Sequence, residues 1–199
     1  MDIQRSSDLN HEVTEEKTLL HKRHNHDKKQ VREIINTSLY LIENFGLEGL
    51  SVRNLSSLTG IGMTNIYNNF GNENDILLLI IDHFKAEIEA TLGEAILYQT
   101  ETIGKIESIF KTYYHTFANS PGLTALLLPG EFNDLEPDVQ TRLEEMMDQN
   151  NKVLTSLISE GQKKGEIRSD KDPRYLAAMA LGSFRETIRN WKHIDTTNQ

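Results

Sequence analysis

The chain has 199 residues, 37% of them hydrophobic and 26% charged, with 4 prolines and a formal net charge of −9. That length allows one large domain or two small ones with a sizeable core, and the composition excludes a disordered, collagen-like or membrane-spanning chain. Zero cysteines exclude disulfide staples, thiolate zinc sites and cysteine nucleophiles, and fit a reducing cytoplasm.

The residues from Met1 to Asp8 lack the apolar core of a secretory signal and are too acidic for a transit peptide. The longest apolar run, Ile76–Ile81, is far short of the roughly 18 residues that a spanning helix needs, so no membrane partner is expected. Charge is segregated along the chain. Residues 1–21 carry 2 basic and 5 acidic side chains, residues 22–71 carry 6 and 4, and residues 72–199 carry 13 and 21. A nucleic-acid module joined to an acidic partner domain would show this asymmetry, although the average alone argues against phosphate binding.

Residues 1–27 show no sustained periodicity and read as an N-terminal arm. The arm ends in His21-Lys22-Arg23-His24-Asn25-His26. These three histidines read as part of a solvated basic tail rather than a metal site, because no nearby set of carboxylates and histidines completes one. From Lys28, apolar residues recur at Val31, Ile34, Ile35, Leu39, Leu41, Ile42 and Phe45, a helical stripe that Gly46 stops. Ser51 is placed as an N-cap before Val52, Leu55 and Leu58, and Gly60 ends that helix after about two turns. Gly62 lets the chain re-enter a second short helix carrying Ile66, Tyr67 and Phe70. Two short helices around Gly60-Ile61-Gly62 form a helix-turn-helix pattern.

A long helix follows through Ile76–Ile81, Phe84, Ile88 and Leu92, with acidic residues in its first turn where the helix dipole favours them. Further helices are predicted over Thr102–Ala118, Leu123–Leu128, from Pro137 to Gly165, and from Pro173 to about Trp191, the last two opened by proline at the first helical position. Neither alternating strand patterns nor an Asn-Gly hairpin turn is present. The fold class is all-α.

The stretch Ser51-Val52-Arg53-Asn54-Leu55-Ser56-Ser57-Leu58-Thr59-Gly60-Ile61-Gly62-Met63-Thr64-Asn65-Ile66-Tyr67-Asn68-Asn69-Phe70-Gly71-Asn72-Glu73 resembles the DNA-binding signature of the TetR family of bacterial regulators. The match lies in the capped Ser-Val-Arg opening, the small residue and glycine before Ile61, Ile66-Tyr67, Phe70, and the acidic then apolar start Asp75-Ile76-Leu77. The resemblance implies a helix-turn-helix DNA-binding domain over 28–72 and a helical ligand-binding and dimerisation domain over 73–199. It also implies a double-stranded operator, a small-molecule effector and a homodimer built from the last two long helices. The loop Gly161-Gln162-Lys163-Lys164-Gly165-Glu166-Ile167-Arg168 before Asp172-Pro173 resembles the family's connection between those helices. No cofactor or metal is expected.

The second helix of such a motif lies in the major groove with its N-terminal residues at base edges. Here those are Met63, Thr64 and Asn65, with Asn68 and Asn69 one turn further. Asparagine pairs bidentately with adenine, and threonine and methionine meet a thymine methyl. The resemblance assigns Arg53 to guanine or phosphate and Tyr67 to phosphate, and Lys28 and Lys29 with Ser51 complete the DNA face. There are two departures from the family pattern. Glu73 stands where a phosphate-clamping lysine is common, and a carboxylate there repels phosphate unless Lys22, Arg23, Lys28 and Lys29 supply the contact. Gly62 replaces a serine or threonine cap.

The effector pocket is expected within 76–191, lined by some of Phe84, Phe110, Tyr113, Tyr114, Phe117, Met147 and Trp191, with His83 and the tyrosine hydroxyls as orienting polar groups. Two other readings stay open. An enzyme would need a nucleophile, base and orienter set, and His83, His115, His193 and the carboxylates form none at motif spacing. A helical binding protein that has lost its DNA contacts is the alternative that Glu73 and the acidic balance keep in play.

Overall fold

The structure is a computed structural model and describes residues 28–127 and 135–195, with Ala95 and the last five as backbone only. The histidine run and the basic pair Lys22 and Arg23 lie outside the described residues, as do Pro129 and Gly130. Among the described residues there is no strand, and eight α-helices follow one another. They are α1 (residues 28–45), α2 (Val52–Thr59), α3 (Met63–Phe70), α4 (Glu73–Leu97), α5 (Thr102–Asn119), α6 (Pro121–Leu127), α7 (Pro137–Lys164) and α8 (Pro173–Asp195). A single 3-10 turn, Leu47–Gly49, bridges α1 and α2.

The boundaries have local causes. Gly46 takes φ 72 after α1, and Gly60 takes φ 72 after α2, a left-handed geometry that costs other residues energy. Ser51 caps α2 by accepting from the Asn54 amide at 3.1 Å. A capping box opens α4, where the Asn72 side chain accepts from the Asp75 amide and Asp75 accepts from the Asn72 amide. Gly62 gives α3 no side-chain cap. The cap of α5 comes from far along the chain, for Glu166 in the α7–α8 connection accepts from the amides of Thr102 at 2.6 Å and Ile103 at 3.3 Å.

Two buried clusters form the interior. The larger joins Ile34, Ile42, Leu55, Ile66 and Phe70 to Ile76, Ile80, Ile81 and Phe84 of α4, Leu123 and Leu126 of α6, and Val139 and Leu143 of α7. The run Ile76–Ile81 is apolar on every side because α4 is enclosed there by helices of both regions. The smaller cluster contains Leu154, Ile158 and Ala177, with Phe110, Ile167 and Leu181 packed against it. It holds α7 and α8 together, the pair in most extensive contact. No helix among the described residues is long and apolar enough to cross a membrane.

Candidate nucleic-acid interface and effector cavities

The helix-turn-helix is held from within. Thr59 Oγ1 donates to the Leu55 carbonyl at 2.7 Å and accepts from the Ile61 amide at 3.2 Å, which fixes the turn between α2 and α3. Ile66 and Phe70 point into the core, leaving Met63, Thr64, Asn65, Tyr67, Asn68 and Asn69 exposed. Asn68 is two residues from both buried positions, about 200° around a 3.6-residue turn, so it lies opposite the core. Thr64 occupies the same outward ridge one turn earlier. Asn69 Nδ2 donates to Asn65 Oδ1, which ties these two amides along one flank. Arg53 on α2 and Lys28 and Lys29 at the start of α1 are exposed. The Ser51 hydroxyl is engaged as a cap.

Glu73 departs from its expected role. Its Oε1 accepts from the Val52 amide at 2.8 Å, so the carboxylate satisfies the first free N–H of α2 instead of standing open towards a phosphate. Negative charge at a helix N-terminus is stabilising. The residue therefore joins the start of α4 to the start of α2 and is part of the module's internal frame.

In the C-terminal region two small cavities, about 100 Å³ and about 80 Å³, flank Tyr113 at the junction of the two buried clusters. Tyr113, Met146, Asn150 and Leu181 line both. The first opens between α4 and α7 beside Lys85 and Glu89. The second lies below α8, walled by Phe117, Leu127, Met147, Phe184 and Arg185. Burial, and next the charge of Glu89, push the Tyr113 hydroxyl up to about 12, so it stays a neutral hydrogen-bonding group. Arg185 is half-buried and approaches Met147 Sδ at 3.5 Å, with no carboxylate pair among the described residues. Lys85 is likewise half-buried and without an ion pair among them.

Of the residues expected at the pocket, the structure brings Tyr113, Phe117 and Met147 to the cavities. Phe84 is instead in the larger core cluster. His83 stacks edge-on against Phe84 at 5.6 Å, and Tyr114 is 38% exposed with its ring against His115, so neither lines these two cavities. Phe110 packs on Phe184 at 5.5 Å behind the lining. Trp191 falls among the residues described as backbone only. Sequence reasoning missed Phe184, which gathers Phe110, Tyr113 and Phe117 around it, and it missed Arg185. A cation beside the inward stripe Leu181, Phe184 and Ile188 was the available signal for Arg185.

No group of three or more histidine, aspartate or glutamate residues among those described is arranged to hold a metal ion. Residues 73–197 match the family described as the C-terminal region of YsiA-like proteins, a TetR C-terminal family. The fatty acid metabolism regulator protein of Bacillus subtilis is 21% identical over 159 residues, covering 80% of this chain and 81% of that protein. The fatty acid degradation regulator FadR from Bacillus halodurans superposes with a TM-score of 0.74 at 19% identity, covering 83% of this chain and 86% of that one. FadR from Bacillus subtilis in complex with stearoyl-CoA superposes with a TM-score of 0.72 at 21% identity, covering 83% and 88%. These likenesses establish the fold.

Proposed function

The chain belongs to the TetR family of bacterial transcriptional regulators, with a YsiA-like C-terminal region, and from that premise we propose that it is a cytoplasmic repressor that binds a palindromic operator as a homodimer and leaves it when an acyl thioester enters at Tyr113 and forces the two small cavities there to widen. The observation that carries this reading is the position of α6. Its C-terminal residue Leu127 walls the second cavity. Its second residue, Gly122, lies so close to α1 that a Cβ there would overlap the Leu39 carbonyl. A seven-residue helix that touches both the cavity and the DNA-binding end couples the two sites by direct packing, because close-packed contacts shift between discrete arrangements rather than stretch.

The effector class rests on chemistry. Apolar and aromatic walls suit an acyl chain, and half-buried Arg185 and Lys85 suit the anionic part of the same ligand. FadR of Bacillus subtilis, similar in fold, is bound to stearoyl-CoA. Dimerisation is supported by α8, which exposes Tyr175, Ala178, Met179, Gly182 and Ser183 along one stripe. The proposed role requires no catalysis, and the chain is read as a non-enzyme. The competing idea of a binding protein without DNA contacts loses its main residue, since Glu73 is engaged inside the module.

Fluorescence anisotropy on labelled duplex, with and without stearoyl-CoA, tests the proposal. Binding should weaken steeply as salt rises, and stearoyl-CoA should reduce operator affinity at constant salt. Salt-insensitive binding, or no duplex binding at low salt, would count against a DNA-binding role. Binding that is unaffected by acyl-CoA of any chain length would leave the regulator but remove this effector.

A further inference from the structure

The reading face of this protein is nearly uncharged. Between Ser51 and Asn72 the only charged side chain is Arg53, and α3 has none. The outward ridge of α3 is formed by Thr64 and Asn68, with Asn65 beside it. Asn65 Oδ1 is taken by Asn69 Nδ2, which leaves the Asn65 amide hydrogens as donors. Asn68 has no side-chain hydrogen bond among the described residues and is free to donate and accept at once.

Each base presents a different pattern in the major groove. Guanine shows two acceptors, which match the double donor of arginine or lysine and only half of a carboxamide. Cytosine shows a donor that suits a carboxylate. Adenine shows an acceptor beside a donor, which matches a carboxamide at both atoms, and its partner thymine adds a methyl group. No α3 side chain is the arginine or lysine that guanine pairs with best or a carboxylate for cytosine, whereas Asn68 matches adenine at both atoms and Thr64 offers a methyl.

We propose, resting on the DNA-binding role above, that each operator half-site has an A·T core read in the major groove, with Asn68 bidentate to an adenine and the Thr64 methyl against a neighbouring thymine. Any guanine readout in the half-site is left to Arg53.

The test is selection of duplexes from a random pool by the full chain, followed by affinity measurements on the enriched site. Enriched half-sites should contain adjacent A·T pairs. Replacing the key A·T pair by inosine·cytosine keeps the A·T minor groove but presents the G·C major groove, and should weaken binding roughly 5- to 150-fold. Asn68→Ala should remove that discrimination while leaving the melting temperature unchanged, because the side chain is exposed. Replacing the neighbouring thymine by uracil should weaken the wild type and not Thr64→Ser, which lacks the methyl. A G·C core in the enriched sites, or an inosine·cytosine duplex that binds as well as A·T, would overturn the proposal while DNA binding stood. Failure to retain any duplex at low salt would overturn the DNA-binding role together with it.

Discussion

At the DNA-binding end, the Glu73 carboxylate joins the start of α4 to the start of α2. Glu73 lies 21 positions from Val52 in the chain, yet it satisfies an amide that no side chain near α2 reaches. Glu73→Ala should destabilise the folded chain by about 0.5–2 kcal/mol, the usual range for a lost helix cap, and thermal or urea unfolding would measure it. Glu73→Lys should lose the same cap and add a cation, so a gain in DNA affinity would come with a lower melting temperature. An unchanged melting temperature in both variants would show that the contact is not formed in solution. Asp172 gives a prediction in pH. The Arg174 guanidinium, and next the Arg174 backbone amide, hold its carboxyl at about 2, below its ordinary value. A depressed carboxylate contributes stability that is present above the unfolded-state pKa and is lost as pH falls through the folded one. The melting-temperature difference between wild type and Asp172→Asn should therefore be constant near neutrality and shrink between about pH 4 and pH 2.

At the scale of elements, most helix boundaries were legible because glycine, proline and short polar residues mark them by local chemistry. Gly46, Gly60, Pro137, Gly165 and Pro173 each lie at an observed helix end. The contacts that join elements were not legible, since Glu166 capping α5 and Glu73 capping α2 depend on residues far apart in sequence. The cavity lining was only partly legible for a related reason. Phe84 and Phe117 are both aromatic residues at helical spacing, and only packing sends one to the core and the other to a cavity. Two substitutions probe α6 and the space it borders. Gly122→Ala should force α6 away from the Leu39 carbonyl and cost about 1–3 kcal/mol, as other overpacked contacts do. It should also alter operator affinity, although Gly122 is not on the DNA face. Tyr113→Trp should fill the adjoining space and abolish the response to acyl-CoA while the variant still binds operator.

For the whole molecule, the proposed dimer rests on the exposed stripe of α8. Tyr175 and Met179 are 72% and 68% exposed, and the small residues between and after them allow a partner helix close approach. Met179→Glu should place charge at the centre of that face and yield a monomer by sedimentation velocity, with weaker operator binding and an unchanged helical signal. A dimer that survives this change would move the interface elsewhere. Reciprocity makes the proposed coupling between cavity and DNA measurable. If an effector lowers operator affinity by some factor, the operator must lower effector affinity by the same factor. Isothermal titration of stearoyl-CoA into the free protein and into protein saturated with its selected operator tests this most directly. Stearoyl-CoA should bind the operator complex more weakly, by the same factor found for operator release. Equal affinity for the free and operator-bound protein would contradict it.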